Sequence, residues 1–350
     1  MRREETSMEK FLSIVEKQRH LMYEEMREAA ELLFNEETDE ELIAQFLIAL
    51  SKKGETSHEV AALAAVMKSY ANDLTPAAAR YLDNCGTGGD GVNTFNISTT
   101  AAFVLAGAGV QVAKHGNRKI SSAAGSQDVL DALGIHTDFQ LADMQELLEE
   151  QGIAFLFAPA IHPKMKRIGA IRNKIGKTTI FNLVGPLTNP VSLETQFTGI
   201  NRPDFIMEYA SVLRMLGRER AIVVSGAGGM DEASLAGQNE FVLLDRGDLI
   251  PFSLTADDVG LEYAPLSAIR GGDAVENAAT TRSILAGERG PKFDTVVLNA
   301  GIGLFANGQA ATIQEGVKMA TESILSGKAL EKLEAVVAFS DRIRQEAGVR

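Results

Sequence analysis

Apolar residues recur at helical spacing through the first 75 positions, and the ends of these stretches carry capping chemistry rather than strand turns. Thr38 to Glu41 reads as a capping box opening a helix whose apolar face is Leu42, Ile43, Phe46, Leu47 and Leu50, with Gly54 as its stop. Thr56 to Glu59 repeats the box and launches a second helix on Val60, Leu63, Val66 and Met67. So short a link predicts an antiparallel pair. Residues 1–78 are thus expected to form a small all-helical domain.

From Tyr81 the pattern changes to short β-prone runs, each followed by a glycine loop and a helix-like stretch, as in parallel strand and crossover units. Val110 to Lys114, Ile153 to Phe157, Ala221 to Ser225, Phe241 to Leu244 and Thr295 to Leu298 read as strands. Most are nearly continuous apolar runs, as strands buried on both faces are. The expectation is a larger α/β domain with a mostly parallel central sheet, spanning 79–159 and 191–350. Between its parts, 160–190 breaks the rhythm with a basic helix-like stretch and a Pro-rich loop, and is expected to pack back on the N-terminal helices. The tail after Ser326 reads as a helix.

Composition narrows the chemistry. Among 350 residues, 34 Lys plus Arg face 47 Asp plus Glu, a formal charge of −13, which argues against non-specific binding to nucleic acid or an anionic membrane. Absence of Trp and only five Tyr weigh against stacking platforms for bases. One cysteine, Cys85, rules out an intramolecular disulfide and any Cys-rich metal site, and reads as a small residue at a strand end. Met1 to Lys10 is charged, without the apolar stretch of a signal peptide, and no run approaches a membrane span. A cytoplasmic protein is expected.

Three loops concentrate polar chemistry. Asp83-Asn84-Cys85-Gly86-Thr87-Gly88-Gly89-Asp90 continues through Thr94, Asn96, Ile97, Ser98 and Thr99 into an apolar helix. Its glycines let backbone amides approach an anion, and the helix start adds free N–H groups, although tight turns use the same residues. Asp90 in such a cradle repels phosphate unless it meets a sugar hydroxyl or a cation. Next, Lys114-His115-Gly116-Asn117-Arg118, then Ser121, Ser122 and Ser126, place cations, amide or imidazole donors and hydroxyls as for a polyanion. A capping or core hydrogen bond is the plainer reading of His115, but its place between Lys114 and Arg118 makes a donor role the expectation. Third, Asp231-Glu232 follows a glycine turn after the Ala221 strand, where two carboxylates in a loop bracket one or two hard cations, magnesium being the natural choice beside a pyrophosphate. Such a pair also serves simply as helix N-terminal charge. Gly176-Lys177-Thr178 imitates a P-loop end, but Ile171 stands where its first glycine is required.

These motifs, with Asn182-Leu183-Val184-Gly185-Pro186-Leu187-Thr188-Asn189-Pro190 and the Lys53-Gly54-Glu55-Thr56 turn, resemble the anthranilate phosphoribosyltransferases in order and spacing from about Leu21 to Val337. The resemblance implies the nucleoside phosphorylase/phosphoribosyltransferase type of fold, a homodimer through the helical part, and transfer of a phosphoribosyl group from phosphoribosyl pyrophosphate to anthranilate in tryptophan biosynthesis. By the same resemblance, phosphoribosyl pyrophosphate is bound by Gly86, Gly89, Asp90, Thr94, Asn96, Ile97, Ser98, Thr99, Lys114, Asn117, Arg118, Ser121, Ser122 and Ser126. Anthranilate is bound by Gly86, Asn117, His162 and Arg172, and two magnesium ions by Ser98, Asp231 and Glu232. His115, Asn117 and Arg172 are the implied catalytic set.

Ser225, Gln127 and Ile161 depart from the family pattern, standing for a histidine, a small residue and an aromatic residue. They open the alternative of another aromatic acceptor on the same fold. A non-catalytic binding descendant is the second alternative, against which Ser98, Asp231 and Glu232 are all retained.

Overall fold

The computed structural model describes residues 7–72, 74, 80–116, 124–136 and 139–349. Four helices come first: α1 (Met8–Glu16), α2 (Tyr23–Phe34), α3 (Glu40–Lys53) and α4 (Ser57–Ser69). Helix α4 opens on the expected box, with the Thr56 hydroxyl accepting from Glu59 N. Glu59 itself is fully buried and accepts from Lys53 Nζ at 2.8 Å, Leu21 N at 2.8 Å and Thr56 N at 2.9 Å, so its charge is paired and hydrogen-bonded. Helix α3 differs from expectation: Asp39, not Thr38, caps it, its carboxylate accepting from Glu41 N at 2.7 Å. An aspartate one residue further on is as good a cap as threonine, and it starts the helix later. The antiparallel pair is also corrected. Helix α3 packs mainly on α1 and α4 on α2, because Gly54, at φ +88°, turns the chain across the bundle.

Then come β1 (Tyr81–Asp83), α5 (Ile97–Gly107), β2 (Gln111–Gly116), α6 (Ser126–Leu133), α7 (Leu141–Gln151), β3 (Ile153–Phe157), α8 (Ala158–Ile161), α9 (Met165–Ile175), α10 (Phe181–Val184) and β4 (Thr195–Gly199). The chain continues through α11 (Ile206–Met215), β5 (Arg220–Ser225), β6 (Asn239–Asp245), β7 (Asp248–Leu254), α12 (Ala274–Leu285), α13 (Pro291–Asn307), α14 (Ile313–Leu325) and α15 (Lys328–Val349). The sheet order is β3-β2-β1-β4-β5-β6-β7. Strands β1 to β5 are parallel, and β6 and β7 add an antiparallel edge through a two-residue turn with Arg246 and Gly247 both at positive φ. Pro251 lies in the outermost strand, where its missing N–H costs no ladder bond.

Thr295 to Leu298 is not a strand. It lies inside α13, which begins at Pro291, ends before Gly308 in the left-handed region, and is buried nearly all round. A short β-branched run does not by itself separate a buried strand from a core helix. Gly301 decides for the helix: a Cβ there would stand 2.6 Å from Val317 N, so α13 and α14 meet backbone to backbone.

Alternation along β5 divides the core. Ile222 and Val224 face the cluster built on α5, α13, α14 and α15, while Ala221 and Val223 face a second cluster that includes α11 and the N-terminal helices. Ile168, Ile171, Phe181 and Leu183 from the 160–190 stretch belong to that second cluster, with α9 against α2 and α3 and α10 against α4. The strand order reverses at β1. The crossover through α5 leads to β2 and β3 on one side, and the return leads to β4 and β5 on the other. Ligands of open parallel sheets bind beyond the carboxyl ends of the strands at such a reversal.

Candidate active site

At that reversal the loop after β1 meets the ends of β4 and β5. Thr87 N donates to Gly199 O at 2.9 Å, and Gly88 N donates to the Asp231 carboxylate at 2.6 Å. Gly88, Gly89 and Gly91 all hold positive φ. Close approach fixes glycine at three further points around the acid pair. A Cβ at Gly86 would stand 2.5 Å from Asp231 Oδ2, one at Gly199 1.7 Å from Asp231 O, and one at Gly226 1.9 Å from Glu232 O. Gly199 is not among the residues expected from sequence, where a glycine closing a buried strand is its only trace.

Helix α5 points its start at this loop. It begins at Ile97, with Asn96 as N-cap. Ile97 buries its side chain, and its N–H donates to Phe95 O at 2.8 Å, so it offers the site no side-chain group. Thr99 is buried in the first turn, and Ser98 hydrogen-bonds Glu232. Asp90 accepts from Val92 N at 3.0 Å. Thr94 forms an isolated antiparallel bridge with Arg270, a segment that the sequence motifs do not single out.

Burial pushes both Asp231 and Glu232 above the usual carboxylate range. The neighbouring Asp90 carboxylate adds to the rise at Asp231, and Asp231 adds to it at Glu232, whereas Lys114 and Ser98 favour charged Glu232. The three acids therefore repel one another, and Lys114 is the cation that offsets the charge at Glu232. Among the described residues, no group of three His, Cys, Asp or Glu side chains forms a ready cage for an ion.

Strand β2 supplies Lys114 and His115, both buried. Lys114 lies beneath the glycine loop, donating to Asn84 O at 3.3 Å. Under the same loop Asp83, fully buried, accepts from His115 N at 3.2 Å and Asn189 Nδ2 at 2.9 Å, and burial raises its pKa to about 6. His115 Nδ1 lies 3.0 Å from Gly185 O; a carbonyl only accepts, so Nδ1 carries the proton. Its Nε2 is buried without a partner among the described residues. Burial, with His162 and Lys114 adding like-charge repulsion, lowers its pKa to about 3, so the ring is neutral and the remaining nitrogen accepts. In this arrangement the ring donates through Nδ1 to Gly185 O and presents Nε2 as an acceptor. His162 meets the ring edge-on at 5.3 Å, and its Nε2 donates to Thr188 O at 3.0 Å.

Arg172, on α9, donates to Asn182 Oδ1 at 3.2 Å and lies 5.6 Å from the Phe181 ring. Its Nε is buried without a partner, as is Thr179 Oγ1, while Thr179 N donates at 3.0 Å to the same Asn182 oxygen. No carboxylate of the described residues pairs with Arg172, and burial lowers its pKa. Ser126 opens α6 against Gly116, where a Cβ would stand 2.9 Å from the serine oxygen. Asn117, Arg118, Ser121 and Ser122 lie outside the described residues. Of the unusual positions, Ile161 is buried in the α/β core, and Gln127 and Ser225 are buried at the start of α6 and the end of β5. Burial pushes the Cys85 thiol up to about 12, in keeping with an unreactive side chain.

Residues 10–71 match the model of the glycosyl transferase family helical bundle domain, and residues 78–330 that of the glycosyl transferase family a/b domain. The anthranilate phosphoribosyltransferase of Exiguobacterium sibiricum is 55% identical over 330 residues, covering 94% of this chain and 96% of that one. The chain belongs to the anthranilate phosphoribosyltransferase family. Solved members share the fold. The enzyme of Thermus thermophilus superposes with a TM-score of 0.89 at 42% identity, over 95% of this chain and 99% of that one. That of Saccharomyces cerevisiae, solved in complex with PRPP and Mg, gives 0.86 at 27%, over 95% and 98%.

Proposed function

We propose that the protein transfers the phosphoribosyl group of phosphoribosyl pyrophosphate to the amine of anthranilate, releasing pyrophosphate, as a step of tryptophan biosynthesis. The observation that carries this reading is the closure of the glycine loop on the acid pair through Gly88 N and Asp231. It joins an amide-lined cradle to carboxylates that only a cation makes compatible with a polyanion. The matched relatives, named for this activity, support it.

The donor set fits magnesium. Asp231, Glu232 and Ser98 are hard oxygen ligands, both carboxylates are strained by burial and by each other, and a partial protein shell suits an ion that keeps waters and substrate phosphates. The yeast relative solved with Mg is consistent with this. We propose two ions per site, with Asp90 near the sugar. When bound, magnesium neutralises charge gathering on the departing pyrophosphate.

The chain's own residues then bind and orient. Amides of Gly86 and Gly89, with Thr94, Asn96, Ser98 and Thr99, would hold the donor; Lys114, from beneath the loop, biases it toward negative charge. Arg172, half-buried and without a carboxylate of its own, would take the aromatic acid's carboxylate. His115, neutral with Nε2 as an acceptor, would face the amine rather than donate to the leaving group. An aryl amine attacks when neutral, so no strong base is required; positioning carries the catalysis. The helical unit, where Met22 is 70% and Ile48 45% exposed, is the proposed dimer surface. We place the protein in the cytoplasm; no helix among the described residues is long and apolar enough to cross a membrane.

The test is the loss of anthranilate fluorescence on mixing protein with anthranilate, phosphoribosyl pyrophosphate and magnesium. Magnesium-dependent loss is expected. No loss, with donor binding intact, would move the acceptor to another aromatic acid.

A further inference from the structure

A directional chain of amides reaches the donor loop from a helix far away in sequence. Asn277, on α12, is only 1% exposed, and its Oδ1 accepts from Gly272 N at 2.8 Å. A backbone N–H only donates, so this contact fixes which end of the Asn277 amide is oxygen. Its Nδ2 therefore faces the other way, donating to Asn96 Oδ1 at 3.0 Å and to Gly272 O at 3.3 Å. Asn96 in turn has its oxygen occupied by Asn277, which leaves its Nδ2 on the other side of the amide, where it makes one long contact, 3.4 Å to Ala124 O, among the described residues.

The backbone on both sides is held equally firmly. Gly271 N donates to Asn93 O at 3.0 Å, Phe95 N donates to Ile269 O at 3.3 Å, and a Cβ at Gly271 would stand 2.6 Å from Thr94 O. Against that held backbone, the Asn277 contact decides which end of the Asn96 amide is oxygen. A phosphate oxygen accepts hydrogen bonds and donates none at neutral pH. The half of Asn96 that a phosphate needs is the half this chain of amides leaves with only the long Ala124 contact.

We propose that Asn277 is a positioning residue for the phosphoribosyl donor, holding the Asn96 amide so that its N–H groups face the substrate phosphates. The inference rests on the reading above that Asn96 contacts the donor. Asn277→Asp keeps shape and the Gly272 contact but puts an acceptor opposite Asn96 Oδ1, which turns the Asn96 oxygen toward the phosphates.

The experiment measures the Kd for phosphoribosyl pyrophosphate with magnesium by calorimetry, together with both KM values and thermal melting, for Asn277→Asp, Asn96→Ala and the double variant. Expected are a donor Kd and KM raised about tenfold or more in each single variant, an anthranilate KM within about twofold, and no further loss in the double variant. If Asn277→Asp does not fold, Asn277→Ala leaves Asn96 unbiased and should raise the donor Kd about threefold. An unchanged donor Kd in the folded variant, an equal rise in both KM values, or independent losses that multiply in the double variant would each overturn the proposal. Calorimetry separates the two readings: if the unaltered protein binds the donor but does not consume anthranilate, the acceptor assignment fails while the role of Asn277 is still decided.

Discussion

Replacing Gly199 by alanine should disable the site while leaving the fold in place. The new Cβ would stand 1.7 Å from Asp231 O and 2.3 Å from Asp231 C, against the 3.4 Å at which ordinary contact begins. The obstacle is backbone on both sides, so no rotamer change relieves it. The peptide between Asp231 and Glu232 must retreat by roughly 1.7 Å. That carries both carboxylates away from Ser98 and from the Gly88 amide. Misplacing catalytic groups by about 1 Å costs on the order of a hundredfold in rate, and forcing extra volume into a packed region costs about 1 to 3 kcal/mol in stability. The expected result is kcat reduced at least about a hundredfold, half-saturation at higher magnesium, and a melting temperature only a few degrees lower.

The assay is initial rate of anthranilate loss against magnesium concentration, with melting measured on the same samples. Gly169→Ala is the control: nothing lies within 4 Å of its Cβ, and its φ is not positive, so activity should persist and stability should not fall. Gly226→Ala, with a Cβ 1.9 Å from Glu232 O, should repeat the Gly199 effect. A folded Gly199→Ala protein with the parent's rate and magnesium dependence would refute the view that close approach of these strands positions the acids.

Three further outcomes are expected. Arg172→Ala should raise the KM for anthranilate far more than that for phosphoribosyl pyrophosphate, and Arg172→Lys should restore little, since the lysine ammonium lacks the planar fork; equal effects on both substrates would remove Arg172 from the acceptor site. Asp231→Asn with Glu232→Gln should melt no lower than the parent, because it removes charge that burial disfavours, yet lose magnesium-dependent turnover; retained turnover would end the metal assignment. His115, lowered to about 3 in the folded protein against about 6.5 unfolded, binds fewer protons folded than unfolded, so it removes stability as pH falls below about 6.5. That amounts to roughly 3 kcal/mol by pH 4.5. Asp83, raised to about 6, acts in the opposite sense over its own range, so the comparison is made against His115→Asn by urea unfolding at pH 7 and pH 4.5. An unchanged acid slope in that variant would contradict the buried, neutral ring.

What is legible in the chain follows local chemistry. Thr56 and Glu59 cap α4 because a capping box is satisfied within four residues, and the Ile153 and Ala221 runs are strands because burial on both faces demands continuous apolar residues. Strand β4, Thr195 to Gly199, escapes notice because buried Thr and Gln satisfy their side chains at a distance: Thr195 Oγ1 donates to Tyr81 O and Gln196 Nε2 to Pro186 O. The glycine loop, the acid pair and Arg172 stand out by residue type. The positioning residues Gly199 and Asn277 do not, since they act only through neighbours brought close by the fold, and the pairing of Asp83 with Asn189 is hidden for the same reason. The proton position on His115 is equally hidden, because it depends on the Gly185 carbonyl, 70 residues away.

Charge explains why so much of the site consists of backbone. A protein of formal charge −13 that takes up a pyrophosphate needs local positive potential, yet Asp231 meets the glycine loop and Asp90 and Glu232 add negative charge beside it. Lys114 is the one buried lysine or arginine that the described donor loops supply, and its ammonium lies under the glycines. Amides therefore supply the fixed dipoles, and a removable cation supplies the balance. With fixed arginines instead, tightly held pyrophosphate would be slow to leave. Acids that need a cation make donor affinity depend on magnesium, so donor and metal should bind with positive coupling. By reciprocity, a saturating donor must tighten magnesium binding by the same factor that saturating magnesium tightens the donor. Calorimetric titrations in both orders measure that factor twice, and a factor of one, with donor affinity unchanged by magnesium, would mean that the acid pair does not lie between them.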